Sequence, residues 1–191
     1  MTRFYLNDQK KIQIATGLFT DALAQFNARE FDADKALLKA LNETIAIYKE
    51  LGKTDRENEF QTLKAEWITA QRGINPITFE KVTQRRTEMV NMISFKVMQK
   101  ASQYLGTDAQ EVDAKINEVT LLIGQIIVAA FQNGMLTLEM ITNATTQEQK
   151  TALWEGLSAD PNIAIGQKRV LLMVNKYDVL IIFDDMTQRL S

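Results

Sequence analysis

Apolar residues recur at spacings of three and four along most of the chain, the repeat that turns one face of an α-helix toward a core. Ile12, Ala15, Leu18, Phe19, Ala22, Leu23 and Phe26 make one stripe, with Lys10, Gln13 and Asp21 outside it, predicting a helix over 8–29 capped by Asn7. Leu37, Leu38, Leu41, Ile45 and Tyr48 oppose Lys35, Lys39, Asn42, Glu43, Lys49 and Glu50, predicting a second helix over 34–51. Gly52 follows, a residue suited to the left-handed position that closes many helices. Thr54 and Glu57 have capping-box spacing and open a third helix through Phe60, Leu63, Trp67 and Ile68 to Gly73. So short a link predicts that the second and third helices pack antiparallel.

A fourth helix is expected to start at Pro76 or Thr78 and run to Leu105, burying Phe79, Val90, Ile93, Val97, Ala101 and Tyr104. Gly106 reads as its stop, and Thr107-Asp108-Ala109-Gln110 as the cap of a fifth. The fifth helix, about 111–132, is apolar nearly all round between Val119 and Phe131, the pattern of a central buried helix. Asn133-Gly134 ends it. Shorter helical segments follow at 137–141, after Thr146, whose third following residue is Gln149, and after Asp160-Pro161. The stretch 168–190 allows two readings. Val170, Val174, Tyr177 and Ile181 fit a helix, whereas Val179-Leu-Ile-Ile-Phe183 is rich in strand formers and Asn175-Lys176 could turn a hairpin.

The pattern therefore predicts an all-α fold: a bundle of six or seven helices around a central apolar helix (about 111–132), with a small C-terminal β-hairpin at 170–183 as the lesser reading. The chain reads as a single helical domain over 1–191, with 1–73 and 75–191 as its natural sub-units. The near absence of helix breakers agrees, for 191 residues hold two prolines and eight glycines.

Composition narrows the chemistry more than the fold. There is no cysteine and no histidine, which removes disulfides, thiolate nucleophiles, zinc–thiolate sites and the commonest general base and metal ligand. No glycine-rich phosphate loop, nucleophile elbow or Ser-x-x-Lys motif occurs. The acids fall in small groups, Asp55/Glu57/Glu59, Asp108/Glu111 and Asp184/Asp185. The first two suit the first turns of helices, where negative charge complements the macrodipole. Asp178, Asp184 and Asp185 border the most apolar C-terminal run, with Lys168, Arg169 and Lys176 as candidate partners. We therefore expect no enzyme activity, no catalytic residues, no cofactor and no metal.

Net charge is −2, so bulk electrostatics do not draw the chain to nucleic acid or anionic lipid. A basic stripe of Lys81, Arg85, Lys96 and Lys100 on the fourth helix is the one candidate surface for phosphates, and makes a nucleic-acid-associated structural role one alternative. Met89, Met92 and Met98 on that helix, with Val179, Ile182 and Phe183 in the tail, are the candidate interaction residues. The leading expectation is a non-catalytic interaction or assembly protein, an adaptor or structural subunit binding a protein partner or itself. Residues 119–138 also resemble the membrane-inserting hairpin of a helical pore former, although Gln125 and Glu139 would be costly there. The N-terminus has no apolar leader, and the expected location is the cytoplasm.

Overall fold

A computed structural model describes residues 3–190. Among them lie eight α-helices and no strand: α1 (Tyr5–Asn27), α2 (Ala33–Glu50), α3 (Thr54–Gln71), α4 (Arg86–Gln132), α5 (Leu138–Asn143), α6 (Gln147–Gly156), α7 (Pro161–Met173) and α8 (Lys176–Gln188). A single 3₁₀ turn, Leu157–Ala159, follows α6. The all-α expectation holds. The chain divides into two compact units, one of Asp8–Gln110 and one of Met1–Asn7 with Glu111–Ser191. The division falls inside α4, not near residue 74.

In the unit Asp8–Gln110 the predicted stripes become the core. Ile12, Ala15, Phe19 and Ala22 of α1 face inward, as do Leu37, Leu41 and Tyr48 of α2 and Phe60, Leu63 and Trp67 of α3. Phe60 is fully buried and packs against Phe19, Tyr48 and Tyr104, with ring centroids 5.9, 5.3 and 6.0 Å away. The Trp67 indole N–H, buried with them, donates to Ser94 Oγ at 3.0 Å, so no polar atom of that ring is stranded. Gly52, at φ 66°, turns α2 into α3. Thr54 is not a cap. It is the first helical residue, after Lys53, which makes no side-chain cap bond.

The fourth and fifth helices of the sequence reading are one helix of 47 residues. Gly106 and Thr107 interrupt nothing, and the Thr107 hydroxyl simply donates back to the Gln103 carbonyl at 3.0 Å. The reason is packing. Leu105, Asp108 and Val112 are buried at helical spacings of three and four, so a break at Gly106 would carry two of them out of the interior. A mid-helix glycine costs only about 1 kcal/mol. The apolar segment 111–132 is thus the second half of α4 and no separate central helix.

The start of α4 also differs. Residues 74–85 are not helical but form a loop pinned by an antiparallel bridge between Ile74 and Lys81. The Asn75 side chain accepts from the Ile77 and Thr78 amides at 2.9 and 3.4 Å, a local turn that competes with helix formation. Phe79, expected in the core, is exposed.

In the second unit, Val119, Ile123, Ile127 and Ala130 of α4 meet Trp154, Leu157, Ile163, Val170 and Phe183. Trp154 and Phe183 pack edge to face at 5.2 Å. Local capping signals succeed here. Thr146 and Gln149 complete a capping box on α6, and Asp160 caps α7 with Pro161 in its first turn. The hairpin reading of 170–183 finds no strand. Asn175 is the cap of α8, accepting from the Asp178 amide at 3.0 Å, and Val179-Leu-Ile-Ile-Phe183 is helical.

The N-terminal cap of α1 comes from the far end of the sequence. The helix starts at Tyr5, ahead of Asn7. Asp178, fully buried, accepts from the Tyr5 amide at 2.7 Å and the Leu6 amide at 3.4 Å, while the Asn175 amide donates to the Arg3 carbonyl at 3.3 Å. Asp178→Ala is expected to lower stability by about 2 kcal/mol, since it removes a charged cap and leaves partly buried amides without an acceptor. Urea denaturation measures the loss, and faster hydrogen exchange at Tyr5 and Leu6 localises it.

Candidate interaction site

In the unit Asp8–Gln110 the strongest electrostatic feature is a buried cluster on Asp108. Its Oδ2 accepts from the Tyr48 hydroxyl at 2.7 Å and from Arg56 Nε at 3.1 Å, and its Oδ1 from Arg56 Nη2 at 3.0 Å. Lys53 Nζ lies 3.5 Å from Oδ1. The remaining Arg56 nitrogen meets Glu59 at 2.5 Å, and its guanidinium lies 4.7 Å from the Tyr104 ring centroid. Burial pushes the Asp108 carboxyl up, but the Arg56 and Tyr48 hydrogen bonds and the Lys53 charge outweigh it, and the group lies below the usual carboxylate range. Burial first, then the bond to Asp108, drives the Tyr48 phenol well above its ordinary value. Tyr48, Lys53 and all three Arg56 nitrogens meet a carboxylate of the same cluster. This is the chemistry of an internal tie, and the helix-cap role expected for Asp108 is replaced by it.

Asp184 and Asp185 also pair within the chain. Asp184 meets Lys150 at 2.5 Å and Asp185 meets Arg189 at 2.6 Å. Lys176 pairs with Glu155 at 2.6 Å, not with Asp178. Among the described residues no three acidic side chains converge as a metal site would require.

Most predicted interaction residues lie inside. Met89, Met98, Val179, Ile182 and Phe183 are buried, and of the six only Met92 is exposed. The tail was apolar because it is core. The basic stripe is not one helical face either. Lys81 is in the 74–85 loop and Arg85 precedes α4 with φ 57°, while Lys96 is paired with Glu66 at 3.2 Å. Lys96 and Lys100 alone lie on α4 as expected.

The exposed apolar residues lie elsewhere. On α4, in the second unit, Leu121 and Val128 face solvent at 70% and 55% exposure. With Gln125 and Gln132 they recur at intervals of four, three and four, the seam spacing of paired helices. No residue from Val119 to Leu138 is ionisable. Beside this seam α7 exposes Ile165 and Leu172, seven residues apart and so on one face. Gly166 lets the two helices approach, because a Cβ there would lie 3.2 Å from the Ile126 side chain. Between them runs an open groove of about 460 Å³ whose single charged lining residue is Arg169.

By length and composition α4 contains a window apolar enough to cross a membrane, with mean hydropathy 1.5 and 28% of it buried. The second arm of the expected membrane hairpin has no counterpart, however, because the helix after Gly134 is the six-residue α5. The seam is hidden in the sequence because Leu121 and Val128 sit among equally apolar neighbours that are buried. Only their heptad register with Gln125 and Gln132 could have separated them. No protein-family model, curated protein or solved structure matches the chain.

Proposed function

We propose that this is a non-catalytic assembly protein that pairs with a second copy of itself through the outward seam of α4 and the adjoining face of α7. The observation that carries the reading is the uncharged, solvent-exposed heptad Leu121–Gln125–Val128–Gln132. Elsewhere the chain is ordinary in charge, at 24% Asp, Glu, Lys and Arg, yet this helix face has none. A charge-free seam is self-complementary. Two copies related by a twofold axis bring the α4 seam together without opposing like charges, leaving Lys168 and Arg169 at the α7 margin of the patch, and the amides can hydrogen-bond across the seam while the apolar side chains leave water. Ile165 and Leu172 widen the patch on the α7 side toward what a stable pair needs, about 800 Å² per partner.

The paired double variant Leu121→Glu/Val128→Glu is expected to be monomeric, its helix content unchanged because both side chains are exposed. Light scattering behind size exclusion, over rising protein concentration, reads the mass. A wild-type chain that stays monomeric at the highest soluble concentration, or a double variant with the wild-type mass, rules out this pairing.

A further inference from the structure

We propose that the loop of residues 74–85 is an anchor for anionic lipid surfaces, independent of the pairing seam. Two large apolar side chains stand at its tip, Ile77 and Phe79, exposed by 65% and 78%. They are held out, not floppy. The Asn75 amide donates to the Glu80 carbonyl at 2.9 Å, the Phe79 amide to the Asn75 carbonyl at 2.8 Å and the Val82 amide to the Gly73 carbonyl at 2.8 Å. Arg86 ties the base of the loop to the Gln71 carbonyl. Phe79 itself adopts φ 59°, a left-handed conformation that an aromatic residue rarely takes. The backbone thus fixes the ring outward at a position where relaxation would be easy in a slack loop.

Charge selects the partner. The loop and its two flanks carry four basic side chains, Arg72, Lys81, Arg85 and Arg86, against two acids, Glu80 and Glu88, with Arg86 and Lys81 at the loop's base. Among the described residues only Arg85 of these four has a carboxylate within 4 Å, that of Glu88, at a long 3.8 Å with both groups exposed, an arrangement that neutralises little. An apolar tip above a cationic base, here called the collar, is the chemistry of interfacial membrane binding: shallow insertion of a few side chains added to attraction for anionic headgroups. A protein partner fits less well. Two side chains fall far short of the roughly 800 Å² per partner that a specific protein interface buries, whereas a bilayer surface needs no complementary pocket. The chain's net charge of −2 leaves this collar as a local exception, so binding should orient the loop toward the surface.

The test is flotation of the full chain with equimolar phosphatidylcholine–phosphatidylglycerol vesicles, beside vesicles of phosphatidylcholine alone. The wild type should float with the anionic vesicles, less so as salt rises. Ile77→Ser/Phe79→Ser and Lys81→Glu/Arg85→Glu should each weaken binding by about tenfold or more. Both should keep wild-type helix content and wild-type mass on size exclusion, which separates this proposal from the pairing seam. Phe79→Trp should show a blue shift of indole emission on the anionic vesicles only. The proposal is overturned by a wild type that stays with neither vesicle, by equal binding to both, or by loop variants that float like wild type. Binding of soluble polyglutamate without vesicle binding would assign the loop to an acidic polypeptide and also overturn it.

Discussion

Asp108→Ala should lower the stability of the chain by about 3–5 kcal/mol, because it breaks a buried ion pair from one side. The variant leaves the Arg56 guanidinium, the Tyr48 hydroxyl and the Lys53 ammonium facing a void where the carboxylate was. Urea denaturation followed by circular dichroism provides the measurement. Glu111→Ala is the control. Both acids would matter equally, at about 1 kcal/mol or less, if they merely complemented a helix dipole. In the structure Glu111 is exposed and Asp108 is buried, so the control should stay within about 0.5 kcal/mol of wild type. A loss below about 1 kcal/mol for Asp108→Ala would show that the cluster is not holding the unit together.

The same cluster gives a pH signature with two edges. Asp108 has its folded pKa depressed, so its contribution is complete above the unfolded value of about 3.9 and is lost as pH falls below it. Tyr48 has its folded pKa raised. Its contribution is complete below the unfolded value of about 10 and declines as pH rises past it, since the unfolded chain then sheds a proton that the folded chain keeps. Stability measured against pH should therefore fall at both edges. Tyr48→Phe should blunt the alkaline fall, and Asp108→Asn the acid one.

Phe183→Ala should cost about 3–5 kcal/mol through the cavity it leaves. The ring is 1% exposed and packs on Trp154, so its removal also takes away an edge-to-face contact. The direction matters because Phe183 was a candidate contact residue on sequence grounds. A contact residue would lower association and leave stability alone. A core residue does the reverse, and chemical denaturation with light scattering distinguishes the two. Full stability combined with loss of self-association would return Phe183 to the surface.

How much of this was legible follows from the range of each signal. The stripes of α1, α2 and α3 are legible because spacings of three and four are written in neighbouring residues. Gly52, Thr146 and Asp160 were legible for the same reason, since each acts on amides or carbonyls a few residues away. Two signals of the same type failed. Thr54 is displaced by one position, and Thr107 lies where helix already runs. The candidate site was legible only in its surroundings: the uncharged run from Val119 to Leu138 stood out, but not which of its apolar residues stay wet.

By itself the sequence determined the helical class, the inward faces of the first three helices and the absence of histidine and cysteine chemistry. The tertiary structure decided where α4 begins, that it passes through Gly106, that Asp178 caps α1 from 173 residues away and which apolar positions remain outside. For the passage through Gly106 and the cap on α1 the physical reason is the same. A glycine or a threonine shifts the local balance by about 1 kcal/mol. Separating a buried carboxylate from its donors costs several times that, and its partners, such as Tyr48 for Asp108 at a separation of 60 residues, leave no mark on the residues beside it.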